Sequence, residues 1–276
     1  MNYDIYKPHS SLTTIVKQYV VITDAKNIET MLFLPNGGSF LIFNRGASSS
    51  SQLHTGEVYS IPECYSVGMK LSKAKKIILN CSLDVKESLF PIILVELQAI
   101  GFYKLFHADA SILTQGHMSL NDEIVKGYFS QLYKHEDILN EISYLDEALM
   151  QMNKANNNSR LLIEDVIDSI IHKHYFEVTI EELMLEFNYT RRTLERQFKK
   201  MIGLSPKNFI YILKFCKTFL KYIEETKTFN EIEYLYNDNA HFNVVFQKIT
   251  GYSPSELLND VVKTKKIQIY QMKQIA

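Results

Sequence analysis

The chain has 276 residues, 46% of them hydrophobic, with 30 Lys and Arg balanced by 31 Asp and Glu. This composition excludes a disordered or fibrous chain, and the length suits roughly two domains. No apolar run reaches the roughly 18 residues of a membrane span, and Cys64, Cys81 and Cys216 include no Cys-x-x-Cys pair, which argues against a disulfide scaffold or zinc finger and fits the cytoplasm. The first residues, Met1 to His9, lack the apolar stretch of a signal peptide. A net charge of −1 argues against nucleic acid as a partner only if the charge is spread evenly.

Short runs rich in β-branched and aromatic residues predict strands at Ile15 to Thr23, Thr30 to Leu34, Ser39 to Asn44, Val58 to Ile61, Tyr65 to Leu71 and Lys76 to Cys81. Pro35-Asn36-Gly37-Gly38 reads as a turn and Gly46 to Gln52 as a flexible loop. Such a pattern suits a small barrel or sandwich. Leu89 to Phe106 fits either a buried strand or a helix. Asp122 to Met152 carries helical periodicity broken near Lys134 to Asp137, and the polar stretch Asn153 to Ser159 reads as a linker. Helical periodicity then resumes from Arg160 to the end. The expected class is α+β. A β-rich domain covers 1–118, with helices among its strands. A helical connecting or dimerisation segment covers 119–158, and an all-α domain covers 159–276.

The C-terminal part contains an internal repeat. Gly203-Leu204-Ser205-Pro206 recurs as Gly251-Tyr252-Ser253-Pro254, and the same offset of 48 pairs Leu194 with Phe242, Phe198 with Phe246, and Lys200 with Lys248. Thr179 with Glu182 forms a capping box, so a helix starts at Ile180; Thr190 caps a second helix, Arg191 to Ile202, which Gly203 stops. Thr228 with Glu231 caps the second copy, whose second helix runs from Asn239 to Thr250. Each Ser-Pro starts a further helix, and the one from Pro206 joins the units. A short helix, a tight turn and a second helix with a polar outer face form the helix-turn-helix unit.

Over Thr179 to Leu258 the chain resembles the DNA-binding domain of the AraC/XylS family of bacterial transcription regulators. The stretches that carry this are TIEELMLEFNYTRRTLERQFKKMIGLSPKNF, ILKFCKTFLKY and AHFNVVFQKITGYSPSEL. FLPNGGSFLIFNRG more weakly resembles the proline-glycine turn and apolar strand of these regulators' effector domains. The resemblance implies a non-enzymatic, sequence-specific DNA-binding regulator. Its base contacts would fall at Arg192, Glu195 and Arg196. It also implies RNA polymerase as a partner and admits a small-molecule effector and a homodimer.

Charge is strongly segregated within this region. From Arg191 to Lys221 nine basic residues face one acid, Glu195, for a local net of +8; from Tyr222 to Val262 two lysines face seven acids, for −5. The first unit and the joining helix therefore attract phosphate. Arg192 and Arg196 suit guanine, Glu195 suits cytosine, and Lys199 and Lys200 suit phosphate, with Arg191 beside them. The second unit has Ala240, Asn243 and Val244 at the base-reading positions, where the family usually carries an arginine at the last; its turn is one residue shorter. Asn239, His241, Asn243 and Lys248 remain for polar contacts. Two functions fit these residues. One is a DNA-reading regulator working mainly through its first unit. The alternative is an interaction protein with a degenerate second unit that acts through a partner protein.

Other residues have plainer readings. His54 with Glu57, and His172 with His174, lack the spacing of a metal site, so no metal or cofactor is expected. Cys64 and Cys81 read as small buried apolar groups. Tyr19, Phe33, Phe40, Phe43 and Tyr65 suit a ligand pocket in the N-terminal half, or simply its core.

Overall fold

The computed structural model describes residues 2–24, 30–33, 36–43, 49–53, 58–61, 67–70, 75–78, 91–115, 117–120, 122–135, 137–156, 159–174, 176–225, 239–258 and 267–270. The strands are β1 (Asn2–Tyr6), β2 (Val16–Asp24), β3 (Thr30–Phe33), β4 (Ser39–Phe43), β5 (Ser49–Leu53), β6 (Val58–Ile61), β7 (Val67–Lys70), β8 (Lys75–Ile78) and β9 (Ile92–Leu97). Then come α1 (Gly101–Phe106), β10 (His117–Ser119), α2 (Asp122–Tyr128), α3 (Ile138–Ala155) and α4 (Leu162–Asp168). The C-terminal part holds α5 (Ile180–Phe187), α6 (Arg191–Ile202), α7 (Pro206–Glu225), α8 (Asn239–Thr250), α9 (Pro254–Leu258) and β11 (Ile267–Tyr270). Among the described residues no helix is long and apolar enough to cross a membrane.

The strands form two sheets, one in the order β1-β2-β9-β4-β7-β10 and one in the order β11-β3-β8-β5-β6. The expected barrel is not formed, because β1 and β10 end the first sheet without pairing to each other. Helices cover its apolar face instead. Phe102 and Leu105 of α1, with Ile142, Leu145, Leu149 and Met152 of α3, pack on Tyr19, Val21, Leu41, Phe43, Ile93 and Val95. β4 and β9 are buried along their whole length, in keeping with their apolar runs Phe40 to Phe43 and Ile92 to Val95. The Tyr19 hydroxyl donates to Asp146 Oδ1 at 2.6 Å and fixes α3 to β2.

Several local expectations need correction. Four of the seven residues of the expected loop Gly46 to Gln52 belong to β5, a Ser-rich strand held by antiparallel pairing to β6 and β8. The ambiguous run Leu89 to Phe106 divides into β9 and α1. Helix α3 continues through Ala155, so the linker begins later, and Asn156 donates from Nδ2 to Leu105 O at 2.6 Å. The C-terminal part is not all-α: β11 pairs in parallel with β3, from Thr30 opposite Ile267 to Phe33 opposite Tyr270. Cys64, Cys81, His54 and Glu57 lie outside the described residues; Cys216 is buried, which pushes its thiol up to about 12.

A second core lies under the C-terminal helices. Ile163, Val166 and Ile170 meet Leu183, Leu194, Phe198, Ile202 and Phe209 there, and Ile100, just before α1, joins them. The two halves are thus packed together. Asn36-Gly37-Gly38 lies on α7: Gly37 has φ +74°, and a Cβ there would come within 2.5 Å of the Phe209 ring. Gly203 has φ +83°, and a Cβ would come within 2.5 Å of the Ala110 carbonyl oxygen. Both glycines combine a left-handed backbone with a close approach that a side chain would block. Beside them Lys104 Nζ of α1 meets Glu164 Oε1 of α4 at 2.7 Å, with both residues buried.

Candidate nucleic-acid interface

Each helix of the first unit begins and ends as its sequence requires. Thr179 and Glu182 form the capping box of α5: Glu182 N–H donates to Thr179 Oγ1 at 3.2 Å and Thr179 N–H to Glu182 Oε2 at 2.7 Å. Asn188 ends α5 in the left-handed conformation, at φ 52°. Thr190 caps α6 by accepting from Thr193 N–H at 3.2 Å, and Gly203 closes it. Leu194, Phe198 and Ile202 bury one side of α6 and so turn Arg192, Glu195, Arg196 and Lys199 outward to solvent.

The remaining two basic residues of α6 are placed differently. The Arg191 guanidinium pairs with Glu181 of α5. Glu181 itself lies below the ordinary carboxylate range, held there first by a backbone hydrogen bond and then by Arg191. Lys200 sits 5.8 Å from the centre of the Tyr103 ring, on the side facing α1. The outward arc is therefore Arg192, Glu195 and Arg196, with Lys199 one turn further on.

A wide turn at Ser169–Lys173, closed by a hydrogen bond from His174 N–H to Ser169 O at 3.0 Å, brings three donors onto Glu186 of α5. They are His174 Nε2 at 3.0 Å, Lys173 Nζ at 2.9 Å and Ser169 Oγ at 2.9 Å. Glu186 is held at about 2, chiefly by His174 and next by Lys173. A depressed carboxyl stabilises the fold above its unfolded value of 4.5, and that contribution disappears as pH falls towards 2. Chemical denaturation at pH 5 and pH 2.5 should therefore show a smaller loss of stability in Glu186→Gln than in the unaltered protein.

Helix α7 is 20 residues long, and at about 1.5 Å per residue it spans about 30 Å. Asn208 N–H donates to Ser205 Oγ at 3.2 Å at its start. Its far end holds the second unit through an aromatic cluster: Phe246 of α8 lies 5.7 Å from Phe215 and 4.9 Å from Phe219, centre to centre. The repeat is present in the backbone, since Gly251 closes α8 at φ 78° as Gly203 closes α6. Ser253 then begins α9 with its own capping box, donating N–H to Glu256 Oε2 at 2.8 Å and accepting from Glu256 N–H at 3.3 Å. Asn243, Val244, Gln247 and Lys248 are exposed on α8. The side chains of Asn239, Ala240 and His241, and the whole of 226–238 with the second capping box and turn, lie outside the described residues.

A cavity of about 600 Å³ separates the first sheet from α4, the wide turn and α7. Lys17, Glu96, Asp168 and Lys217 stand among the apolar side chains of Ile100, Ile167 and Phe209 in its lining. Glu96, fully buried in β9, accepts from Gln18 Nε2 and Asn36 Nδ2, each at 2.7 Å, and lies 3.3 Å from Lys17 Nζ. Tyr19, Phe40 and Phe43 are core residues rather than a pocket lining, and the side chains of Phe33 and Tyr65 lie outside the described residues. Lys104 and Glu164 stand 60 positions apart, and the cavity draws its lining from segments as distant as Lys17 and Lys217, so neither shows in a local sequence pattern.

Comparison with known proteins bears on this region. A family described as a helix-turn-helix domain matches residues 183–260. The HTH-type transcriptional activator RhaS of Klebsiella pneumoniae is 26% identical over 123 residues, 44% of this chain and 41% of the relative. RhaS of Escherichia coli is 27% identical over 116 residues, 41% of each chain. The chain thus matches about two fifths of the length of these curated relatives. Among solved structures, ToxT from Vibrio cholerae aligns with a TM-score of 0.45 at 10% identity, covering 93% of this chain and 97% of that one. The AraC-like transcriptional activator CuxR aligns with a TM-score of 0.27 at 13% identity, over 79% and 77%.

Proposed function

Because its C-terminal domain is a DNA-binding helix-turn-helix domain of the AraC/XylS family of transcription regulators, we propose that this protein binds specific DNA sites mainly through α6 and that its N-terminal half controls that binding. The observation that carries this is the outward arc of Arg192, Glu195 and Arg196 on a helix whose opposite side is buried. Arg192 and Arg196 have the fork geometry that pairs with guanine O6 and N7, Glu195 accepts from cytosine N4, and Lys199 reaches phosphate. The +8 balance from Arg191 to Lys221 supplies the attraction to the duplex.

Control enters through the cavity. A small-molecule effector filling it would touch β2, β9, α4 and α7 together, so its binding would be coupled to how the two halves dock. RNA polymerase is the partner through which a DNA-bound regulator of this kind acts.

Selection of bound sequences from random duplex DNA by the purified full-length chain tests this function. A preferred site with a guanine under α6 supports it; selection of no preferred sequence overturns it. Against that site, Arg196→Ala should weaken binding by about 1–3 kcal/mol and relax the preference at a single position. Affinity should also fall steeply with added salt.

A further inference from the structure

We propose that the second reading helix recognises A·T pairs, with Val244 packed against a thymine 5-methyl group and Asn243 bonded to an adenine edge. The operator is then bipartite, with guanine under α6 and A·T pairs under α8. This inference rests on the DNA-reading function above and assigns the base class of its second half-site.

The structure sets the register. Phe198 and Phe246 are both buried completely, and Gly203 and Gly251 close their helices at φ 83° and 78°. Counting back by equal steps, Val244 stands where Arg196 stands and Asn243 where Glu195 stands. Two residues from the buried Phe246 is about 200° around the helix, so Val244 points away from α7. It is 64% exposed, one of six large apolar residues exposed among the described residues. A lone exposed valine elsewhere needs no explanation. At the position from which the sister helix presents its central base-reading arginine, it has a chemical reading.

In the major groove thymine alone displays a methyl group, and a β-branched aliphatic side chain complements it. Valine offers no donor to guanine O6 or N7. A G·C pair at that step would have its polar edge desolvated against a methyl surface without a hydrogen bond. Asn243 offers the paired donor and acceptor that match adenine N6 and N7. The charge around this unit agrees. With −5 from Tyr222 to Val262, little attraction to phosphate is available, and α8 carries one lysine, Lys248, and no arginine. The second unit's share of binding must therefore come from base edges more than from the backbone.

The test uses the full-length protein and the operator obtained by selection, with each thymine replaced in turn by deoxyuridine, which differs only by the 5-methyl group. One thymine, about one helical turn from the α6 guanine, should be sensitive, and losing its methyl should weaken binding about fourfold. In Val244→Ala the same replacement should have no effect. Val244→Arg, at a solvent-exposed position, should select guanine at that step instead of A·T. Methyl-insensitive binding at every thymine, or an unchanged base preference in Val244→Arg, overturns the proposal while leaving the first unit's reading intact. Failure of the chain to select any sequence overturns the DNA-reading function itself.

Discussion

Lys104→Met should destabilise the protein by about 3–5 kcal/mol, because it leaves the Glu164 carboxylate buried without its cation. Lys104 and Glu164 are each less than one-tenth exposed, so the charge left behind is poorly hydrated. Glu164 also accepts from Leu161 N–H at 2.8 Å, which holds the start of α4. The loss therefore falls at the joint between α1 and the helix that leads into the DNA-binding domain. Lys104→Met combined with Glu164→Gln should recover most of the stability, because the amide oxygen still accepts the Leu161 N–H and no buried charge remains. Denaturant titration of the single and double variants measures both. If the single variant loses less than about 1 kcal/mol, the pair is solvated in solution and the docking of the two halves is looser than described here.

Gly203→Ala should cost about 2–4 kcal/mol. A left-handed backbone costs a residue with a Cβ about 1–2 kcal/mol, and the rest comes from the Ala110 carbonyl oxygen, 2.5 Å from where that Cβ would lie. The obstacle is backbone, so no rotamer change relieves it. Relief requires the end of α6 to withdraw from the turn at Ala110–Gln115, and this moves α6 relative to the N-terminal half. Thermal unfolding should show the loss together with a less cooperative transition, as the halves part before each melts. An unchanged melting profile would show that this contact forms no part of the docked state.

The helix-turn-helix was legible because its signals are local. Thr179 with Glu182, Thr190 and Gly203 set helix ends within a few residues of themselves, and the apolar stripe Leu194, Phe198, Ile202 fixes which side of α6 faces solvent. The outward placement of Arg192, Glu195 and Arg196 follows from that stripe alone. Arg191 and Lys200 differ because tertiary neighbours decide their placement. Glu181 is ten positions from Arg191, and Tyr103 belongs to the other half of the chain. The N-terminal strands were legible where β-branched and aromatic residues cluster between turn signals, as in β2, β3, β4, β6, β7 and β8, whereas the apolar run that holds β9 fitted strand and helix equally. β5 is Ser-rich and becomes a strand through its ladder partners, which no periodicity within five residues can announce. The openness of the sheets was equally hidden. Alternation marks which faces are apolar, but not whether helices or a closing strand will cover them.

The pairing of β11 with β3 gives the chain an order of assembly. Thr30 and Ile267 are neighbours in one ladder yet stand 237 positions apart. When β3 leaves the ribosome, the strand that will lie on its free edge has not been made, and the entire DNA-binding domain must be synthesised first. Closing so long a loop is slow, and until it closes β3 presents an unpaired edge to any other strand nearby. Shortening the chain before residue 267 would therefore damage the sheet near its beginning and spare the helices next to the cut. The second sheet of the N-terminal half is thus completed only when β11 joins it.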